Sequence, residues 1–264
     1  MWYSVFFACG FIGGFFIFKN IFYFYLKCAS SKESDIEIKK NVNLIADKLL
    51  TYMFVSTVIG ARLGHFFFYE SPSFYLVKDP FVIFRIWEGG LSSHGAGIAI
   101  IISIIYFSYN YKNKYNLSFL RTFDFVAIST SFAAVFIRLG NFFNQEIIGR
   151  PTNMPWGIIF LNPLDNLSIV PRHPAQLYEA IFYLVVFLFL WTFFRNKVFF
   201  TKQGFIFSIF LICIFSFRFF IEFFKIEYSL ILNKQILLMA QFLSLPFIFF
   251  GIFLFFYCRK YIER

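Results

Sequence analysis

The chain has 264 residues, of which 59% are hydrophobic types, 14% are charged and 47 are phenylalanine; its formal net charge is +10 and its mean hydropathy +0.71. A soluble globular domain carries about 25% charged residues, so this chain cannot cover a water-facing surface, and a soluble domain, a disordered chain, a coiled coil and a collagen are excluded. An integral helical membrane protein with several spans remains.

The first span is read over 2–26. Its opening, MWYSVFFACG, shows neither a basic n-region nor a small-residue cleavage pattern, so it is read as a retained span and not a removed signal. Gly10, Gly13 and Gly14 would permit a close helix contact there. Residues 27–48, with KESDIEIKK at their centre, are the most charged stretch and are expected to form a cytoplasmic loop. The second span, 49–69, carries Arg62 and His65. Residues 70–90 contain Pro72, Pro80, Trp87 and the Gly89-Gly90 pair and read as an interfacial loop with a short helix. Trp87, Trp156, Tyr69 and Tyr75 read as interfacial aromatics.

The third span, 91–109, is entered through GGLSSHGAG; the fourth, 122–141, runs out into IRLGNFFNQEIIGRP. Four prolines between 150 and 172 mark a small extramembrane head, 150–174. The fifth span is 175–194, the sixth 204–224 with Arg218 and Glu222, and the seventh 236–258 with a kink expected at Pro246. No internal repeat is visible. The loops 27–48, 110–122, 195–203 and 258–264 hold 14 lysines and arginines, against 7 in 70–90, 138–174 and 225–235. Positive charge favours the cytoplasm. The expectation is therefore an all-α polytopic protein of seven transmembrane helices, a single membrane domain over 1–264, with its N-terminus outside, its C-terminus cytoplasmic and a periplasmic head.

Charges inside hydrocarbon are costly and face the bundle interior. Arg62, Arg138, Glu146, Arg218 and Glu222 all fall toward the outer half on this topology. Arg138 and Asn141, spaced i and i+3, share a helix face, as do Arg218 and Glu222 at i and i+4. Arg62, Arg138, Arg150, Arg172 and Arg218 outnumber Glu70, Glu146 and Glu222. Each arginine reads as part of an anion clamp, with a structural ion pair or a snorkelling residue as the alternative. Together they leave positive charge for an anion, and a guanidinium fork suits phosphate. His94, flanked by Ser92, Ser93, Gly95 and Gly97, is the best candidate for a general base near neutral pH. His65 reads as a satisfied interfacial residue and His173, held in PRHP, as a positioning one. Cys9, Cys28, Cys213 and Cys258 have neither metal nor disulfide-framework spacing and read as lipid-buried or cytosolic thiols.

These motifs resemble those of the prolipoprotein diacylglyceryl transferase family. The likeness is carried by Trp2-Tyr3, ARLG at 61–64, IWEGGLSSHG at 86–95, Arg138, GNFFNQEIIGRPTNMPWG at 140–157, PRHPAQLYEA at 171–180 and FRFFIEFF at 217–224, in that order. The resemblance implies transfer of the diacylglyceryl group of phosphatidylglycerol to the lipobox cysteine of a prolipoprotein, with glycerol 1-phosphate leaving. It implies catalytic roles for His94, Arg138 and Arg218, and substrate contacts for Tyr3, Arg62, Asn141, Asn144, Glu146, Gly149 and Glu222. It also implies a bacterial inner-membrane enzyme with its site toward the periplasm, working as a monomer among membrane lipids without metal, nucleotide cofactor or nucleic acid. The chain differs from the family pattern at Ala61, Ser93 (usually an aromatic), Ala96 and Gln145 (commonly Gly), differences expected to bear on pocket shape. A lysine is expected to be tolerated better at 62 than at 138. The alternative is a transporter or channel for an anionic lipid or small anion, in which the same arginines select instead of react; the apolar inner half of the spans argues against it.

Overall fold

A computed structural model describes residues 2–29, 34–68, 79–163, 167–196, 202–226 and 239–260. Expectations for Tyr69, Glu70, Pro72 and Tyr75 lie outside these residues. Seven long helices occur among them: α1 (Trp2–Ala29), α2 (Asp35–Phe68), α3 (Ser93–Tyr115), α4 (Phe119–Phe143), α5 (Ala175–Arg195), α6 (Phe205–Ile221) and α7 (Met239–Lys260). All but α3 are long and apolar enough to cross a membrane by length and composition. Large apolar side chains such as Phe16, Phe54, Phe189 and Phe253 point outward. Only lipid makes such a surface favourable, and the protein is an all-α polytopic membrane protein. Among the described residues one sheet occurs, pairing β1 (Ile158–Ile159) with β2 (Pro171–Arg172), antiparallel.

The chain divides into two compact units, Phe22–Thr122 and a second made of Met1–Ile21 with Phe123–Arg264. In the first, α2 packs on α3 through small residues. A Cβ on Gly64 would meet the backbone nitrogen of Gly95 at 3.0 Å and Ser92 Cβ at 3.2 Å. The main chain of Ser92 donates to the Ala61 carbonyl at 2.8 Å. The Ser92 hydroxyl then caps α3 by accepting from the Gly95 nitrogen at 3.3 Å.

At 34 residues, α2 is about 51 Å long, well beyond a hydrocarbon core of about 30 Å. Much of the expected loop 27–48 is therefore helix, from Asp35 onward. The cause is an apolar stripe under the charges: Ile38, Val42, Ile45, Ala46 and Leu49 recur at helical spacing and are all buried. Residues 80–88 form two short 3₁₀ turns, Pro80–Phe84 and Ile86–Glu88, in place of the expected single short helix.

In the second unit α1 lies against α4 through the glycines noted in the sequence. A Cβ on Gly10 would come within 2.9 Å of Phe136 Cβ and 3.0 Å of the Ala133 carbonyl; one on Gly14 would meet the Ser129 carbonyl at 3.2 Å. Val135, Ala180 and Tyr183 form a buried cluster between α4 and α5, and the Phe182 and Phe217 rings stack at 3.9 Å between α5 and α6. The buried carboxylate of Asp124 accepts from the main chain of Gly204 (2.7 Å) and Phe207 (2.9 Å), so α4 supplies the N-cap that opens α6. Pro246 lies inside α7. Phe142, at the end of α4, meets Phe160 of the head edge-on at 5.8 Å, and Ile148 is fully buried.

Candidate active site

The second unit gathers most of the singled-out charges at one end of α4, α5 and α6. Asn141 donates from Nδ2 to Glu146 Oε1 at 2.7 Å, and the Glu146 nitrogen returns to the Asn141 carbonyl at 3.0 Å, closing the end of α4. The turn passes through Gln145 and Ile147, both at φ 56°. This is the left-handed region that costs a side chain about 1 kcal/mol, and it explains why glycine suits position 145. Asn144 is half-buried on this turn, its nitrogen bonded to the Gly140 carbonyl at 3.0 Å.

Arg138 is held from two sides. Its Nη1 donates to Asn141 Oδ1 at 3.3 Å, and its Nε lies 3.2 Å from Glu179 Oε2, an ion-pair contact without hydrogen-bond alignment. Glu179 is completely buried; its other oxygen takes Lys225 Nζ at 3.1 Å and the Tyr183 hydroxyl at 3.3 Å. Lys225 in turn lies 3.5 Å from Glu222. The expected Arg218–Glu222 pair does not form. The α-helix ends at Ile221, and Glu222 opens a 3₁₀ turn that aims it at Lys225. Arg218 is exposed and has no hydrogen-bond or ion-pair partner among the described residues, although it, Arg138 and Glu179 all act electrostatically on the Tyr183 hydroxyl. Tyr3 packs on Gly140 and lies within electrostatic reach of Arg138.

Behind this cluster, Gly149 is wedged between main chains: its nitrogen donates to the His173 carbonyl at 3.0 Å, and a Cβ there would collide with that oxygen and with the Phe224 carbonyl. Gly149 thus serves close packing. His173 is oriented by Tyr178 (3.2 Å), whose hydroxyl also accepts from Trp156 Nε1 at 2.7 Å. Gln176 Nε2 donates to the Glu146 carbonyl at 2.6 Å, while its own oxygen is buried without a partner among the described residues.

In the first unit, Arg62 is buried and directs its guanidinium to four main-chain carbonyls. Nε reaches Ile83 (3.0 Å), Nη1 reaches Gly89 and Gly90 (3.2 Å), and Nη2 reaches Val82. Arg62 thus latches the 82–90 segment, and one lysine ammonium could not fan out to all four acceptors. Arg150 and Arg172 likewise donate to carbonyls, of Lys225 at 2.9 Å and Ser168 at 3.1 Å. His94 is exposed on the first turn of α3, directly after the Ser92 cap.

Glu179, Lys225, Tyr183 and Gln176 were not singled out from the sequence. Glu179 had a readable signal: it is a carboxylate inside an apolar span, the same feature that marks Arg138.

An α-helical membrane protein with buried arginine–carboxylate chemistry at its helix ends is the class these features define. Residues 1–257 match the family described as prolipoprotein diacylglyceryl transferase. Proteins named phosphatidylglycerol–prolipoprotein diacylglyceryl transferase are similar along the chain. The one from Tolumonas auensis is 41% identical over 95% of this chain and 88% of its own length. That from Chlamydia pneumoniae is 38% identical over 100% and 90%, and that from Protochlamydia amoebophila is 46% identical over 79% of this chain but 55% of its own length. The chain belongs to the prolipoprotein diacylglyceryl transferase family.

Proposed function

We infer that the chain transfers the diacylglyceryl group of phosphatidylglycerol to the thiol of a prolipoprotein's lipobox cysteine, in a bacterial inner membrane. Seven spans, an outside N-terminus and a site on the periplasmic side complete this reading, supported by the charge bias of the loops. The cysteine sulfur attacks the glycerol carbon that bears the phosphate. One S–C bond forms, one C–O bond breaks, and glycerol 1-phosphate leaves with the electron pair. The thiol proton goes to His94, since the thiolate is the nucleophile.

The observation that carries the reading is the exposed Arg218, unpaired among the described residues, on the same end as the fixed Arg138. Arg218 grips the phosphate, and Arg138, aimed by Glu179 and Asn141, stabilises the charge that grows on the leaving oxygen. Asn141, Asn144, Glu146 and Glu222 line the headgroup, and Tyr3 closes it from α1. Arg62 and Gly149 shape the surrounding main chain instead of touching lipid.

The test is incubation of the purified protein with phosphatidylglycerol vesicles and a lipobox peptide. Mass analysis should show diacylglyceryl-peptide and glycerol 1-phosphate in equal amounts. Anion flux without either product would instead favour a transporter. For His94 the pH–rate profile decides: H94N should remove the titration seen in the parent, and an unchanged profile would exclude it as the base.

A further inference from the structure

Within the Phe22–Thr122 unit, side chains of α2 and α3 line a side-opening slot of about 500 Å³. Tyr52, Val55, Ile59, Ile102 and Tyr106 form its walls. Its serine and threonine hydroxyls are already engaged. The Ser56 hydroxyl lies 3.0 Å from the Met53 carbonyl and 3.1 Å from the Ser103 hydroxyl and donates to one of them, Ser103 donates to the Ile100 carbonyl (2.9 Å), and Thr51 to the Asp47 carbonyl (2.9 Å). The exposed lining is almost wholly apolar, so the occupant it suits is hydrocarbon. Ten residues of helix would need about 1,200 Å³, so a peptide span does not fit, whereas a single acyl chain does.

One end of the slot is charged. Tyr52 packs on Tyr106 (5.8 Å) and Phe107 (5.7 Å), Phe107 on Tyr111 (4.8 Å), and the exposed Lys48 holds its ammonium 5.3 Å over the Tyr111 ring. Lys48 precedes Tyr52 by four residues, one helical turn beyond the slot. We propose that the slot between α2 and α3, whose lining includes none of the proposed site residues, binds one acyl chain of an anionic phospholipid whose phosphate pairs with Lys48. This lipid is retained and not consumed.

The experiment uses the full-length protein in phosphatidylcholine nanodiscs doped with phosphatidic acid bearing a photoreactive acyl chain, with labelled peptides mapped by mass spectrometry. Phosphatidic acid lacks the glycerol headgroup, so labelling is independent of transfer. Labels should concentrate on 51–59 and 99–106. Val55→Trp, which fills the slot from its exposed rim, should reduce them at least tenfold, and Ser56→Ala, which leaves the slot open, should keep them. Lys48→Glu should reduce labelling by phosphatidic acid by about fivefold or more, and labelling by a photoreactive phosphatidylcholine hardly at all. Labels spread evenly over all helices, or unchanged in both Val55→Trp and Lys48→Glu, would overturn the proposal.

Discussion

Glu179 is the anion on which the charge cluster turns, and E179Q tests that directly. It lies 3.2 Å from Arg138 and 3.1 Å from Lys225, whose side chains are 15% and 9% exposed, and is itself 0% exposed. At an effective dielectric of about 20, each contact is worth about 5 kcal/mol of attraction. The desolvation of three charged groups offsets much of this. Removing only the carboxylate leaves that desolvation in place, which destabilises a protein by about 3–5 kcal/mol. Glu222 offers the internal comparison. It is 19% exposed at 3.5 Å from Lys225, which would keep Glu179, so E222Q should cost about 1 kcal/mol. The assay is the unfolding midpoint in one detergent at a fixed scan rate. E179Q should fall by on the order of 10 °C and E222Q by a few degrees. The double variant E179Q/K225M, which removes a cation with the anion, should regain a good part of the loss in stability without regaining transfer. If E179Q unfolds with E222Q, or E179Q/K225M is no better than E179Q, the bridging role of Glu179 is wrong.

Arg218 and Arg138 should separate in the same assay. R218A should abolish transfer with an unchanged midpoint, because it removes no hydrogen-bond or ion-pair partner of another described residue, while R138A should lower both, since Glu179 and Asn141 lose a partner. R62K should lose about 2–4 kcal/mol, the donors to several part-buried carbonyls being gone, and amide exchange should quicken in 82–90 before anywhere else in that unit; equal exchange in parent and variant would count against the latch. At position 145, Gln→Gly relieves the left-handed φ but gives up the bond from the Asn162 nitrogen to Gln145 Oε1 at 2.8 Å. Each is worth about 1 kcal/mol, so Q145G should be near neutral in unfolding midpoint and Q145A destabilised.

How far the sequence reached depends on whether a feature is local. The long apolar runs were legible because a chain in hydrocarbon must satisfy its own main chain, and a helix is the local way to do so. The glycines of α1 and the Arg138–Asn141 contact, both set by helical spacing, were legible for the same reason. The helical start of α2 was legible in principle, since Ile38, Val42, Ile45 and Leu49 keep the period, but the charges between them drew the reading to a loop.

The Arg218–Glu222 pair failed for a reason outside its own segment. Nothing in FRFFIEFF breaks a helix: it holds neither proline nor glycine. The main chain leaves the α-helix at Ile221 and continues to where the Phe224 carbonyl accepts from the Arg150 nitrogen at 2.8 Å, Lys225 bridges to Gly149, and the Lys225 carbonyl accepts from Arg150 Nε across 75 residues of chain. Spacing rules presume that a helix runs on, and long-range pairing removed that premise. The consequence is chemical as well as structural. Released from Glu222, the Arg218 guanidinium has no carboxylate partner among the described residues, while Lys225, three residues beyond Glu222, takes the carboxylate in its place. A helix that continued one more turn would bring Arg218 and Glu222 onto one face and weaken the cation on which the proposed phosphate grip depends.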